Sequence, residues 1–250
     1  MHVELSGCQA VERAITILEL FDEHRTIIGI SEAAAALGVH RSTASRLMAT
    51  LERRGLLEQV DNGAGYRLGL GLVALGGYVL NRFPVRARAG QILRELRDAT
   101  GETAWLGVLD GHQITYLDQA SSPHVTVNVD WVGVRQTLTE GVTGRLLLAY
   151  QPDHVIERLV SLAAPEAIGL SETELAAARR QGYAIRIGET GDGYTGVAVP
   201  IRAADGVVVA AIALGGPRFR VDEKRLHAEL LPAALNAAAR VSESLGHRAA

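Results

Sequence analysis

Cysteine is almost absent from this chain of 250 residues: Cys8 is the only one. That excludes an intramolecular disulfide and any zinc site built on cysteines. Lysine is almost absent too. Of 25 basic residues only Lys224 is a lysine. Arginine therefore carries the positive charge, and it is the better residue for bidentate contacts to phosphate and guanine; a general arginine bias accounts for the same count. Long apolar runs are missing. The longest, residues 207–214, falls far short of the roughly 20 residues that cross a bilayer. No basic stretch followed by an apolar one opens the chain, so no signal peptide is expected. These absences predict a soluble, cytoplasmic protein with no membrane partner.

Neither sign of charge dominates, the formal net charge being −3. That does not exclude nucleic acid, which needs only a local basic surface. Chemistry-bearing patterns are also missing. There is no G-x-S-x-G elbow and no phosphate-binding G-x-x-x-x-G-K-S/T loop, and no two of the eight histidines have helical metal-ligand spacing. No catalytic residue, metal or cofactor is expected, and the chain is not read as an enzyme. A glycine-dense stretch at 188–196 reads as a surface turn or as a flexible loop beside a ligand.

What is present is a nearly half apolar chain, 48% hydrophobic, long enough for two compact domains. Val11, Ala14, Ile15, Ile17, Leu18 and Phe21 recur at helical spacing, giving a helix over about 8–23. Residues 27–30 suggest a short strand. Ser31 is a suitable N-cap for an alanine-rich helix that Gly38 ends. A longer helix is predicted over 41–54, with Ala44, Leu47, Met48 and Leu51 facing inward. Gly55 stops it, and two short strands follow at 56–60 and 65–68 around a turn at 61–63. Leu70, Val73, Ala74 and Val79 can share one face of a further helix, broken at Phe83-Pro84. The next helix is placed over 87–100.

The pattern then changes. Strands at 103–109 and 113–120 flank Asp110-Gly111, a hairpin signal. A third strand is expected over 125–132 and helices over 143–150 and 153–162. A capping box of Ser171 and Glu174 starts another helix. Strands at 183–187, 197–201 and 207–215 and a long helix over 222–245 complete the chain. Hairpin-spaced strands imply an antiparallel sheet with helices packed on it, hence an α+β fold.

The segment 31–68 has the form of a winged helix-turn-helix. A reading helix needs an apolar face for its own domain and a polar N-terminal half for the major groove. Helix 41–54 has both. Arg41 and Arg46 are spaced to reach phosphates or guanine edges, and Ser42, Thr43 and Ser45 are short donors for close approach. Arg67, on the second wing strand, can reach an adjacent phosphate. The competing reading is an ordinary three-helix bundle with an arginine-decorated surface helix.

These segments together resemble a known family, the IclR-type bacterial transcription regulators. The resemblance runs through VERAITILELF at 11–21, ISEAAAALGVHRSTASRLMATLERRGLLE at 30–58 and YRLG at 66–69. It continues through LRELRDATGETAWLGVLDG at 93–111, V-G-x-R at 132–135 and GRLLLA at 144–149. RRQGYA at 179–184, VAVPIRAADG at 197–206 and AIALGGP at 211–217 complete it. It implies a winged helix-turn-helix over 1–69, a linker helix over 70–86, and a GAF-like effector-binding and oligomerisation domain over 87–250. It also implies a double-stranded DNA operator, a small organic acid effector, often aromatic, and self-association as a dimer or a dimer of dimers.

By the same resemblance the effector site involves Val142, Thr143, Arg186, Gly196, Ala213 and Gly215. Several depart from the family pattern. Thr137-Leu138-Thr139-Glu140-Gly141-Val142 stands where the family usually has Pro-Leu-His-Ala-Ser/Thr-Ala. Arg186 stands in a segment usually rich in Asp and Glu, Gly196 at a Cys or Ser position, and Ala213 and Gly215 at Ser positions. These changes point to a larger, drier pocket with one added cation. Trp105 and Trp131 are candidate flat walls. The competing reading makes both tryptophans core residues and Arg186 a solvated cation. For the whole chain the alternative function is an enzyme or small-molecule carrier whose N-terminal helices mediate assembly.

Overall fold

The computed structural model describes residues 8–22, 24–60, 63–124, 130–139, 141–162, 172–188 and 193–248. The chain divides into two compact units, Met1–Arg82 and Phe83–Ala250.

In the first unit, α1 (Gln9–Glu19), α2 (Ile30–Leu37) and α3 (Arg41–Arg53) surround a core of Ile17, Ile28, Ala33, Ala44, Met48, Leu51, Leu57 and Tyr66. Gly38 closes α2 in the left-handed conformation at φ 61°, which a residue with a Cβ adopts at a cost. That tight stop lets α3 begin three residues later. The cap expected at Ser31 is not formed. α2 starts two residues earlier than a cap at Ser31 implies, after an extended Gly29, and no side chain caps it. The reason lies just upstream. Ile28 and Tyr66 exchange two backbone hydrogen bonds of 2.9 Å, so the strand expected at 27–30 is reduced to one bridge and the chain turns into the helix directly after it. β1 (Leu57–Gln59) and β2 (Tyr66–Leu68) pair antiparallel, Glu58 opposite Arg67. The turn residues 61 and 62 lie outside the described residues.

α4 (Gly71–Leu80) buries none of its residues. Val73 is 68% and Tyr78 73% exposed, and Leu70, Leu75 and Val79 are exposed as well. Large exposed apolar residues are thus concentrated on and beside this one helix.

The second unit begins at Pro84, which opens α5 (Pro84–Thr100) at its first position. Proline was expected to break the chain here. It starts a helix instead, because its fixed φ and missing N–H cost nothing in the first turn. Six antiparallel strands follow: β3 (Thr103–Asp110), β4 (Gln113–Ala120), β5 (Arg135–Thr137), β6 (Ala184–Arg186), β7 (Tyr194–Arg202) and β8 (Val208–Pro217). Their spatial order is β5-β4-β3-β8-β7-β6. The strand expected over 125–132 falls mostly on residues 125–129, outside the described residues; Val132 makes a single bridge to Tyr116, and β5 is the strand that pairs with β4.

One sheet face is covered by α5 and by α10 (Leu231–Ser244). α6 (Val142–Ala149) covers the other, with α8 (Glu172–Gln181) against it; α7 (Asp153–Leu162) joins the same core. The cap residue Ser171 lies outside the described residues. The expected closing helix is formed over 223–244, but its winding changes along the way. Asp222 caps α9 (Glu223–Arg225), and a π-helical turn at Leu226–Leu230 precedes α10. Pro232 sits in the first turn of α10. Lacking an N–H, it cannot make the regular bond back to Ala228, and the helix widens there.

One ion cluster ties this unit together. Glu102 is 1% exposed and accepts from Arg220 Nη2 at 2.6 Å and Arg225 Nη1 at 2.8 Å. No helix among the described residues is long and apolar enough to cross a membrane.

Candidate DNA interface and effector site

The polar half of α3 is built by the residues that cap it. His40, in extended conformation, is the N-cap, and its Nδ1 accepts from the backbone N–H of Ser42 at 3.3 Å. The Ser42 hydroxyl lies 2.9 Å from the same nitrogen. Ser42, read from sequence as a donor for DNA, is thus engaged within the unbound helix. Ala44, Met48 and Leu51 anchor the opposite face. That leaves Arg41 and Arg46 exposed and Thr43 and Ser45 half-buried along the first turns. Among the described residues neither Arg41 nor Arg46 has an acidic partner.

Arg67 differs. Its Nε and Nη2 donate to the two oxygens of Glu58 at 3.1 and 2.8 Å, a fork-on-fork pair across the wing. The guanidinium holds the Glu58 carboxyl below the usual carboxylate range. A phosphate would have to take Arg67 from that partner. His40 is the residue that sequence reading missed. Its signal is weak, since histidine is an uncommon cap and only the Ser two positions on hints at it.

In the second unit five of the positions inferred by resemblance, or added as walls, fall on two neighbouring rows of the sheet. One row runs Arg186, Gly196, Gly215, Thr103; the next runs Ala184, Ala198, Ala213, Trp105, Gln119. Alternation along each strand puts these residues on one face. It is the face under α6, since Ala184, Ala198 and Ala213 belong to the core that α6 seals. Val142 and Thr143 open α6 above it. Thr143 is buried, and its methyl would be 2.7 Å from a Cβ at Gly107. Gly107 therefore lets the helix rest on the sheet.

Aromatic residues stand near these small side chains. Tyr194 stacks edge-on against Trp105 at 5.9 Å, and its hydroxyl donates to the Gly215 carbonyl at 2.9 Å. A Cβ at Gly215 would lie 3.2 Å from the Tyr194 ring. Gly196, Ala213 and Gly215 are all buried, and the Tyr194 ring lies beside Gly215. Trp131 packs edge-on against Tyr116 at 6.0 Å. The Tyr116 hydroxyl donates to Gln136 Oε1 at 2.8 Å and lies 3.4 Å from Thr143 Oγ1. Burial pushes the hydroxyls of Tyr116 and Tyr194 above the ordinary tyrosine value, so both are neutral donors at physiological pH.

Arg186 is half-buried on the edge strand β6 and engaged within the protein. A cation beside apolar surface is costly unless partnered. Gln119 and Gln136, absent from the sequence reading, supply polar groups on this side of the sheet. Among the described residues no group of His, Cys, Asp and Glu is arranged to hold a metal ion.

Comparison with known proteins agrees with this geometry. A family model for the IclR helix-turn-helix domain matches residues 10–61, and the model for the bacterial transcriptional regulator IclR C-terminal domain matches 77–243. The chain is 32% identical to the HTH-type transcriptional regulator XynR of Escherichia coli K12 over 87% of this chain and 90% of that one. It is 31% identical to the glycerol operon regulatory protein of Streptomyces coelicolor over 95% and 96%. Among solved structures, the Thermotoga maritima IclR superposes with a TM-score of 0.79 at 25% identity, over 96% of this chain and all of that one. An IclR homologue from Microbacterium hydrocarbonoxydans, solved with 4-hydroxybenzoate, gives 0.79 at 27% identity over 94% and 98%. The chain belongs to the IclR family of bacterial transcriptional regulators.

Proposed function

We propose that this chain is a ligand-responsive regulator that binds an operator through α3 and a small organic acid, with an aromatic or apolar body, through its second unit. The observation that carries the DNA half is the exposed pair Arg41 and Arg46 at the N-terminal end of α3, beside a wing bearing Arg67. Arg41, Ser42, Thr43, Ser45, Arg46 and Arg67 are the DNA-facing set. In this reading 1–69 binds DNA, 70–86 links, and 87–250 senses the effector and supports assembly. The protein works in the cytoplasm, where its operator is, and as a regulator rather than an enzyme.

Self-association follows from α4. A helix with Val73, Tyr78 and Val79 in water gains most by meeting a second copy, and two-fold pairing doubles the DNA contacts. Half-sites should then lie about one helical turn, roughly 34–36 Å, or a multiple apart. The effector half rests on the aromatic-lined sheet face around Trp105, Trp131, Val142, Thr143, Arg186, Gly196, Ala213 and Gly215. The 4-hydroxybenzoate held by the Microbacterium homologue supports an aromatic acid.

The test is operator binding by Arg41→Ala and Arg46→Ala. A base-reading arginine should cost about 1–3 kcal/mol and relax specificity at one base; a phosphate contact should weaken all sequences alike. Unchanged affinity in both variants would remove α3 as the reader. An assembly module on an enzyme or carrier would show no sequence-specific binding to duplex DNA.

A further inference from the structure

We propose that Gln119 is the residue that sets the selectivity of the effector site, by holding both tryptophans of the chain in one geometry that accepts a flat aromatic ring. This rests on the effector reading above. Gln119 Oε1 accepts from the Trp105 indole Nε1–H at 2.8 Å and from the Trp131 backbone N–H at 3.0 Å. Two donors occupy both lone pairs of the amide oxygen. Gln119 Nε2 donates to Ser121 Oγ at 2.9 Å. Flipping the amide would turn an NH2 group against two N–H donors, so the orientation is fixed from both ends.

This one side chain joins elements that are otherwise separate. Trp105 lies on β3, Gln119 on β4 and Trp131 in the segment that precedes β5. Each tryptophan then meets a tyrosine edge-on, Tyr194 at one side and Tyr116 at the other. The chain has only 11 aromatic residues, two Trp, six Tyr and three Phe, and four of them stand around this amide. Both tryptophans are only half-buried, so each keeps ring surface for a further contact. Aromatic rings gain from edge-to-face and offset stacking beyond area burial, which an aliphatic acid cannot supply. Selectivity then depends on the indole positions, and those depend on Gln119. Gln119 is a positioning residue.

The chain has two tryptophans, hence two indole N–H signals in a nitrogen–proton correlation spectrum, assigned with Trp105→Phe. In Gln119→Leu the Trp105 indole signal should move and exchange faster with water, while the thermal midpoint stays close to wild type. Gln119→Glu keeps the acceptor and should keep the signal protected. The same proteins are titrated by calorimetry with benzoate, 4-hydroxybenzoate, phenylacetate, acetate, pyruvate and succinate. Wild type should prefer an aromatic acid. Gln119→Leu should weaken that acid roughly tenfold, the loss of about one hydrogen bond's ordering, and narrow its lead over the aliphatic acids; Gln119→Glu should restore the lead in part. An unmoved indole signal, or an unchanged preference in Gln119→Leu, overturns the role of Gln119 alone. Binding of none of the acids by wild type, or preference for an aliphatic one, overturns the effector reading and the ligand class with it.

Discussion

Replacing Glu102 by alanine should destabilise the second unit and leave the first intact. Glu102 is 1% exposed, and two guanidinium groups converge on it at 2.6 and 2.8 Å. Removing one member of a buried ion pair typically costs 3–5 kcal/mol, because the remaining charge is stranded. Here the arginines are not fully enclosed, their side chains being 19% and 28% exposed. Arg225 also keeps the Thr100 and Arg220 carbonyls and Glu229, and Arg220 keeps the His124 carbonyl. Both can rehydrate in part, so the loss should be about 2–3 kcal/mol. For a unit of this size each kcal/mol moves the midpoint by roughly 2–4 °C, which gives a drop of about 4–12 °C. Scanning calorimetry of the full chain should show one transition moving and the other fixed. The difference should survive in 1 M salt, since a buried pair is screened little. A loss below about 1 kcal/mol, or one that salt abolishes, would mean that the cluster behaves as a surface bridge and that its burial contributes nothing.

Three further outcomes are expected. Val73→Asp combined with Tyr78→Asp should convert an associated species to monomer by light scattering at micromolar concentration; an unchanged mass would move the self-association surface away from α4. Alkaline titration of tyrosinate absorbance should show Tyr116 and Tyr194 ionising late, because burial raises both. A neutral buried tyrosine contributes its full stability below the ordinary value of about 10 and loses it as pH climbs toward the folded value, so the late phase should coincide with unfolding, and Tyr116→Phe should shrink it. Lastly, His40→Ala removes the α3 cap and should cost about 1 kcal/mol in the first unit, whereas His40→Asn should restore most of it; equal stability of all three would show that the Nδ1 contact does not cap.

Much of the first unit was legible because its signals are local. Apolar spacing around Met48 and Leu51 and the left-handed stop at Gly38 each act within a few residues. The 103–120 hairpin was equally readable, since Asp110-Gly111 demands a tight turn. What escaped depends on distant partners. Ser31 looked like a cap, but the Ile28–Tyr66 bridge, closed by residues far along the chain, decided where α2 begins. Glu102 carries no local signal, because its partners Arg220 and Arg225 come from the far end of the sequence. Gln119 carries no signal of its own, because its role exists only once β3, β4 and Trp131 are assembled. The strands expected at 183–187, 197–201 and 207–215 are formed as β6, β7 and β8, but the edge-on contact of Tyr194 with Trp105 joins different strands and leaves no local signal.

The most direct test of the regulator reading is selection of duplexes from a random pool by the full-length protein, with affinity of the winner measured across salt concentration. The selected sequence should be two-fold symmetric, with half-sites about one helical turn apart and log K falling linearly with log salt. Arg41→Ala with Arg46→Ala should abolish that enrichment. Recovery of no sequence, or of the same sequence by the doubly substituted protein, would contradict the regulator reading.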